Sequence, residues 1–108
     1  MLNEYTQLQI LRALKQEEIS QPSIAKEVGF SLGKVNFILK ALIDKGLVKS
    51  ERFISSNHKS KYKYLLTQKG INEKMQLTQK FIERKKKEYE ELQKELEEDA
   101  KKWGNTHD

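Results

Sequence analysis

The sequence predicts a mainly α-helical fold with one small β-hairpin and a long C-terminal helix. Three observations carry this reading. Two short segments with helical periodicity are separated by Gly29 and each begins at a serine. Two runs rich in β-branched and aromatic residues then flank a polar loop. Finally, from Thr67 to Gly104 the only helix breaker is Gly70, in the first turn.

Residues 2–16 place Tyr5, Leu8, Leu11 and Leu14 at a three-residue step that suits one face of a helix. Ser20-Gln21-Pro22-Ser23 reads as an N-cap serine with the chain's single proline in the first turn, where its missing N–H does no harm. The short helix that follows turns Ile24, Ala25 and Val28 inward and stops at Gly29, a residue able to adopt the left-handed conformation. Ser31 is a second N-cap, and helical sequence runs from Leu32 to Lys45 before Gly46. Two capped helices joined by a glycine turn form a helix-turn-helix unit.

Residues 47–54 and 62–66 read as strands, and the polar residues 55–61 between them form the loop of a hairpin. A hairpin directly after the second helix of such a unit is a wing. Its tip carries Lys59 and Lys61, with Arg52 and Lys63 on the strands.

From Thr67, again an N-cap candidate, a helix of more than 30 residues is expected. Alternating steps of four and three from Ile71 select Ile71, Met75, Thr78, Ile82, Lys85, Tyr89, Leu92, Leu96, Asp99 and Trp103. Seven of these ten are apolar amid mostly charged sequence. Glu83–Lys87, Glu90–Lys94 and Glu97–Lys101 are i,i+4 pairs in the favourable order. This is coiled-coil patterning. The expected organisation is a winged helix-turn-helix domain over residues 1–66, then a dimerisation helix and short tail over 67–108. The dimer contacts fall to Ile71, Met75, Ile82, Tyr89, Leu92, Leu96 and Trp103, because a symmetric pair covers both stripes at once. Lys85 and Asp99 interrupt the stripe and leave parallel or antiparallel pairing open.

Composition narrows the function. Hydrophobic residues make up 36% of the 108 positions and charged residues 34%, which fits a chain part of which is exposed helix. The absence of cysteine excludes disulfides and thiolate metal sites. His58 and His107 lie far apart, and no nucleophile elbow, phosphate-binding glycine loop or poised carboxylate pair occurs. No enzymatic activity, metal or cofactor is expected. No apolar run approaches the roughly 20 residues a membrane span needs, and the N-terminus lacks a signal-peptide pattern, so a cytoplasmic protein is expected. Residues 1–70 hold 12 Lys and Arg against 6 Asp and Glu, a net +6, whereas residues 71–108 carry a net −1. The excess positive charge thus points to a polyanion as partner of the first two-thirds.

On the helix 32–45, Val35, Ile38, Leu39 and Leu42 share one side and must be core. The other side offers Gly33, Asn36, Phe37, Lys40 and Asp44, with Lys34 at its flank. Asn36 can pair with the adenine edge, and Lys34 and Lys40 can reach guanine acceptors or phosphates. Gly33 would let the backbone approach a duplex. Phe37 has two readings, contact with a thymine methyl or packing on the first helix or a partner. Ser31 and Ser23 are candidate phosphate ligands at helix N-termini. In the wing Arg52, His58, Lys59 and Lys61 are the candidate backbone or minor-groove contacts, and Tyr62 and Tyr64 are read as strand packing.

Ser31-Leu32-Gly33-Lys34-Val35-Asn36, the segment Leu39 to Val48, and the step Leu66-Thr67-Gln68-Lys69-Gly70 resemble the recognition helix, first wing strand and wing exit of MarR-type regulators. Over residues 5–90 the chain is similar to a compact MarR-like group associated with exopolysaccharide gene clusters. The resemblance implies a homodimeric transcriptional regulator, a repressor, bound to a pseudo-palindromic double-stranded operator, with helix 32–45 in the major groove. The acidic–arginine wing signature of that family is replaced here by Glu51-Arg52 and Lys59/Lys61, and no small-molecule effector is identified. A protein-interaction module and a non-specific nucleoid-binding protein are the alternative readings of the same features.

Overall fold

The computed structural model describes residues 2–15 and 20–104. Glu17-Glu18-Ile19, His107 and the rest of the tail lie outside the described residues. The order of elements is α1 (Glu4–Ala13), α2 (Gln21–Val28), α3 (Leu32–Asp44), β1 (Val48–Ile54), β2 (Ser60–Leu66) and α4 (Gln68–Trp103). The chain divides into two compact units, Met1–Leu77 and Thr78–Asp108. Residue 67 is where hairpin gives way to helix, but the first unit continues about three turns further along α4.

Side-chain caps define the helix starts. Asn3 accepts the Thr6 N–H (2.8 Å), Ser20 that of Ser23 (3.3 Å) and Ser31 that of Lys34 (3.1 Å). Each satisfies a donor that helix geometry leaves without a partner. Gly29 ends α2 at φ 77, and Gly46 follows α3 at φ 76, conformations that a Cβ would strain.

The core of the first unit is built from Ile10, Leu11 and Leu14 around α1, Ile24 of α2, and Val35, Ile38, Leu39 and Leu42 of α3, with Leu47, Val48 and Tyr64 closing it from the hairpin. Helix α1 is shorter than its pattern suggests, and Tyr5 is half exposed while Ile10 is fully buried. Steps of three residues drift by about 60° per step on a helix, so Tyr5 has rotated away from the face that Leu11 and Leu14 share. In α2 only Ile24 is fully buried; Ala25 and Val28 are half-buried.

The hairpin pairs antiparallel in the register Val48↔Leu66, Ser50↔Tyr64, Arg52↔Tyr62 and Ile54↔Ser60. Its base is tied to the start of α4. The Thr67 N–H donates to the Leu47 carbonyl (3.1 Å), the Thr67 hydroxyl to the Gly46 carbonyl (2.6 Å), and the Lys69 ammonium to the Lys45 carbonyl (3.0 Å). Gly70 completes this junction. A Cβ there would stand 1.9 Å from the Leu47 carbonyl oxygen, a distance no side chain can occupy. Gly70 is therefore required for close approach, not merely tolerated.

In the second unit the described part of α4 is helical to Trp103, and Ile82, Tyr89, Leu92, Leu96 and Trp103 are all exposed. Among the described residues no helix is long and apolar enough to cross a membrane.

Candidate nucleic-acid interface

The face of α3 opposite the core is fixed by its packing. Val35, Ile38, Leu39 and Leu42 are at most 1% exposed, so their common direction defines inward. At about 100° per residue the outward direction falls on Gly33, Phe37, Lys40 and Asp44. Phe37 is 62% exposed, which settles one of its readings: it does not pack on α1. Gly33 has a helical backbone without positive φ, and a Cβ there would meet nothing within 4 Å. Neither the conformation nor the packing of the first unit requires glycine at this position.

The flanks are less open. Asn36 is half-buried at one edge of the face. Lys34 lies on the other, its ammonium 3.9 Å from the centre of the Phe30 ring, a cation–π contact that holds the side chain against the turn before α3. Ser31 is exposed, but its hydroxyl already caps the helix. Asp44 puts a carboxylate at the C-terminal end of the same face. The part suited to a polyanion is therefore the first two and a half turns, where the positive end of the helix dipole adds to Lys34 and Lys40.

The wing tip is an ordered turn. The Ser55 N–H donates to the Lys59 carbonyl (2.9 Å), the His58 N–H to the Ser55 carbonyl (2.9 Å), and the Lys59 N–H to the Ser55 hydroxyl (3.3 Å). His58 adopts φ 59, the only non-glycine positive φ among the described residues. His58, Lys59 and Lys61 are exposed.

Strand alternation divides the wing cations between two faces. Arg52 shares a face with Tyr62 and Tyr64, and its guanidinium donates to the Ser60 hydroxyl across the ladder. This face turns toward α2, because Tyr64 is buried and its hydroxyl accepts from the Gln21 amide (2.9 Å). Lys61 lies on the other face with Glu51, Lys63 and Lys49. There Glu51 takes both Lys49 (3.5 Å) and Lys63 (3.6 Å) as exposed ion pairs, which leaves Lys61 with Lys59 as the cations presented at the tip. Arg52 and Lys61 therefore do not form one patch.

Sequence reading missed two exposed apolar side chains of the wing. Ile54 is 64% and Tyr62 52% exposed, on the face that carries Arg52. Tyr62 is thus not buried strand packing; only Tyr64 is. The alternation from Val48 through Ser50 and Arg52 to Ile54 held the signal, since it extends the inward face past the point where the core ends. Among the described residues no three His, Asp or Glu side chains stand close enough to hold a metal ion.

Residues 3–49 match a family model for winged helix-turn-helix DNA-binding domains. No curated protein matches the chain significantly. Among solved structures, a PadR-like transcriptional regulator from Bacillus cereus aligns over 81% of this chain and 90% of its own, at 19% identity and a TM-score of 0.73. MepR, a transcription regulator of the Staphylococcus aureus multidrug efflux pump MepA, aligns over 91% and 70% at 26% identity and 0.64. The same protein in complex with DNA aligns over 92% and 75% at 22% identity and 0.59. The zinc-responsive MarR family member ZitR of Lactococcus lactis aligns over 80% and 58% at 28% identity and 0.60. The chain thus carries a winged helix-turn-helix fold and is similar to MarR-type and PadR-like regulators.

Proposed function

We propose that the chain is a cytoplasmic transcriptional regulator that binds double-stranded DNA in a sequence-specific manner. It acts as a homodimer on a pseudo-palindromic operator and represses transcription there. The single observation that carries this reading is the outward face of α3. It presents Gly33, Phe37 and Lys40 to solvent in the element that winged helix-turn-helix proteins lay in the major groove. Phe37 offers apolar contact to a thymine methyl, Asn36 at the edge of the face an amide for adenine, and Lys34 and Lys40 charge for guanine or phosphate. Lys59 and Lys61 at the wing tip contact the backbone. The structural similarity to MepR in its DNA complex supports the same use of these elements.

Homodimerisation through α4 is the second half of the proposal. Five large apolar side chains of the second unit are between 47% and 67% exposed. Covering those of two copies contributes on the order of 10 kcal/mol, comparable with the roughly 4–15 kcal/mol that association costs.

Competition binding of the full chain to a genomic DNA library at moderate salt tests the function. Enrichment of one palindrome is expected, and an operator-linked reporter silenced by the protein identifies repression. Uniform, salt-sensitive binding would instead indicate a nucleoid protein, and no binding an interaction module.

A further inference from the structure

The apolar stripe of α4 coincides with an ordered charge pattern that selects how two copies meet. Between residues 80 and 87, Lys80 and the four consecutive Arg or Lys at 84–87 face a single acid, Glu83, for a net +4. Between residues 88 and 99, seven acids stand against Lys94 alone, for a net −6. These blocks follow one another along the same exposed helix, and the boundary between them falls just before Tyr89.

We propose that the second copy packs on this face antiparallel, about a two-fold axis close to Tyr89. The proposal rests on the homodimer reading and adds its orientation. Helices in contact have axes about 8–10 Å apart, within about one Debye length at physiological salt. In a parallel, in-register pair the +4 block would lie beside +4 and the −6 block beside −6. Reversing one helix sets each block against its opposite, the arrangement by which flanking charges choose coiled-coil orientation.

The stripe itself gives the same answer. Its two charged members, Lys85 and Asp99, would each meet their own copy across the seam of a parallel pair. With the axis at Tyr89, Lys85 instead comes level with the partner's Gln93, among its acidic positions, and the two Asp99 side chains separate by about 30 Å at the 1.5 Å rise of a helix. Most apolar positions remain matched: Ile82 comes level with the partner's Leu96, Met75 with the partner's Trp103, and Tyr89 with the partner's Tyr89, while Leu92 comes level with the aliphatic stem of the partner's Lys86.

The chain holds no cysteine, so single thiols report the orientation directly. Full-length Thr78→Cys and Ala100→Cys proteins, each spin-labelled, are measured by pulsed dipolar spectroscopy alone and as a 1:1 mixture. Antiparallel pairing predicts about 33 Å for each protein alone and a new distance near 10 Å only in the mixture. Short distances in the single-label samples and about 33 Å in the mixture would overturn the orientation while leaving the homodimer intact. A monomer in sedimentation equilibrium would overturn both. Unlabelled wild-type protein supplies a second readout of opposite sign: raising salt from about 0.05 to 0.5 M should weaken an antiparallel dimer at least several-fold and would tighten a parallel one.

Discussion

Gly33→Ala separates what the fold requires of α3 from what a ligand requires of it. The residue is the second of the helix, its φ is not positive, and an added Cβ would meet no atom within 4 Å. Alanine should therefore fit without displacement and recover up to about 0.5–1 kcal/mol of helix propensity. For a unit of this size that is a rise in Tm of about 2–8 °C, measured by circular dichroism. The same methyl would stand on the outward face, one turn before Phe37, where a groove-bound helix brings its backbone closest to the bases. In a homodimer it enters both half-sites, so a loss of about 1 kcal/mol at each would weaken operator affinity roughly thirty-fold. The assay is fluorescence anisotropy on the enriched palindrome, beside the thermal melt. Opposite signs are required. Raised stability with unchanged affinity would remove Gly33 from the interface, and lowered stability would refute the packing argument itself.

Asn36→Ala with Lys40→Ala should abolish preference for the palindrome over random DNA while dimer and melting profile persist; retained preference in a competition assay would mean that another face reads the sequence. Lys59→Ala with Lys61→Ala should weaken binding to all sequences alike and reduce the slope of log K against log salt by about 3–4, since a dimer loses four phosphate contacts at about 0.9 each. Gly70→Ala should destabilise the first unit by about 2–4 kcal/mol, through the 1.9 Å approach to the Leu47 carbonyl and the loss of the adjoining Thr67 bond; a urea midpoint within error of wild type would show that the junction yields freely. Truncation after Lys80 should give a monomer in sedimentation with weakened operator binding, and a persistent dimer would remove α4 from the interface.

The features most legible in the sequence are those whose physics is local. Ser20 and Ser31 act as caps and Gly29 and Gly46 as left-handed stops because each position depends only on neighbours a few residues away. The four inward residues of α3 were equally readable from a single period. Gly70 was not, since its reason is the Leu47 carbonyl, which the chain brings alongside only after folding the hairpin. Nor was the burial of Leu77 or the partial burial of Phe81. They lie about 80–140° around α4 from the stripe through Ile71 and Ile82, so the helix has two apolar directions near its start and a search for one period finds the longer. In the wing, counting its cations together overlooked the alternation that sends Arg52 and Lys61 to opposite faces.

The closed base of the hairpin has a consequence for how such a protein can diversify. Seven register pairs end at Val48↔Leu66, and the Thr67–Leu47 bond and Gly70 seal the ladder just below. Changes in length or charge between Ser55 and Lys59 are therefore confined above the last pair, and doubling so short a loop costs only about 0.6 kcal/mol in closure entropy. The tip is a site where insertions can accumulate while α3 keeps its position, so the wing's reach along a duplex can change without altering the helix that reads it. It is equally the place to graft a tag or a foreign binding loop.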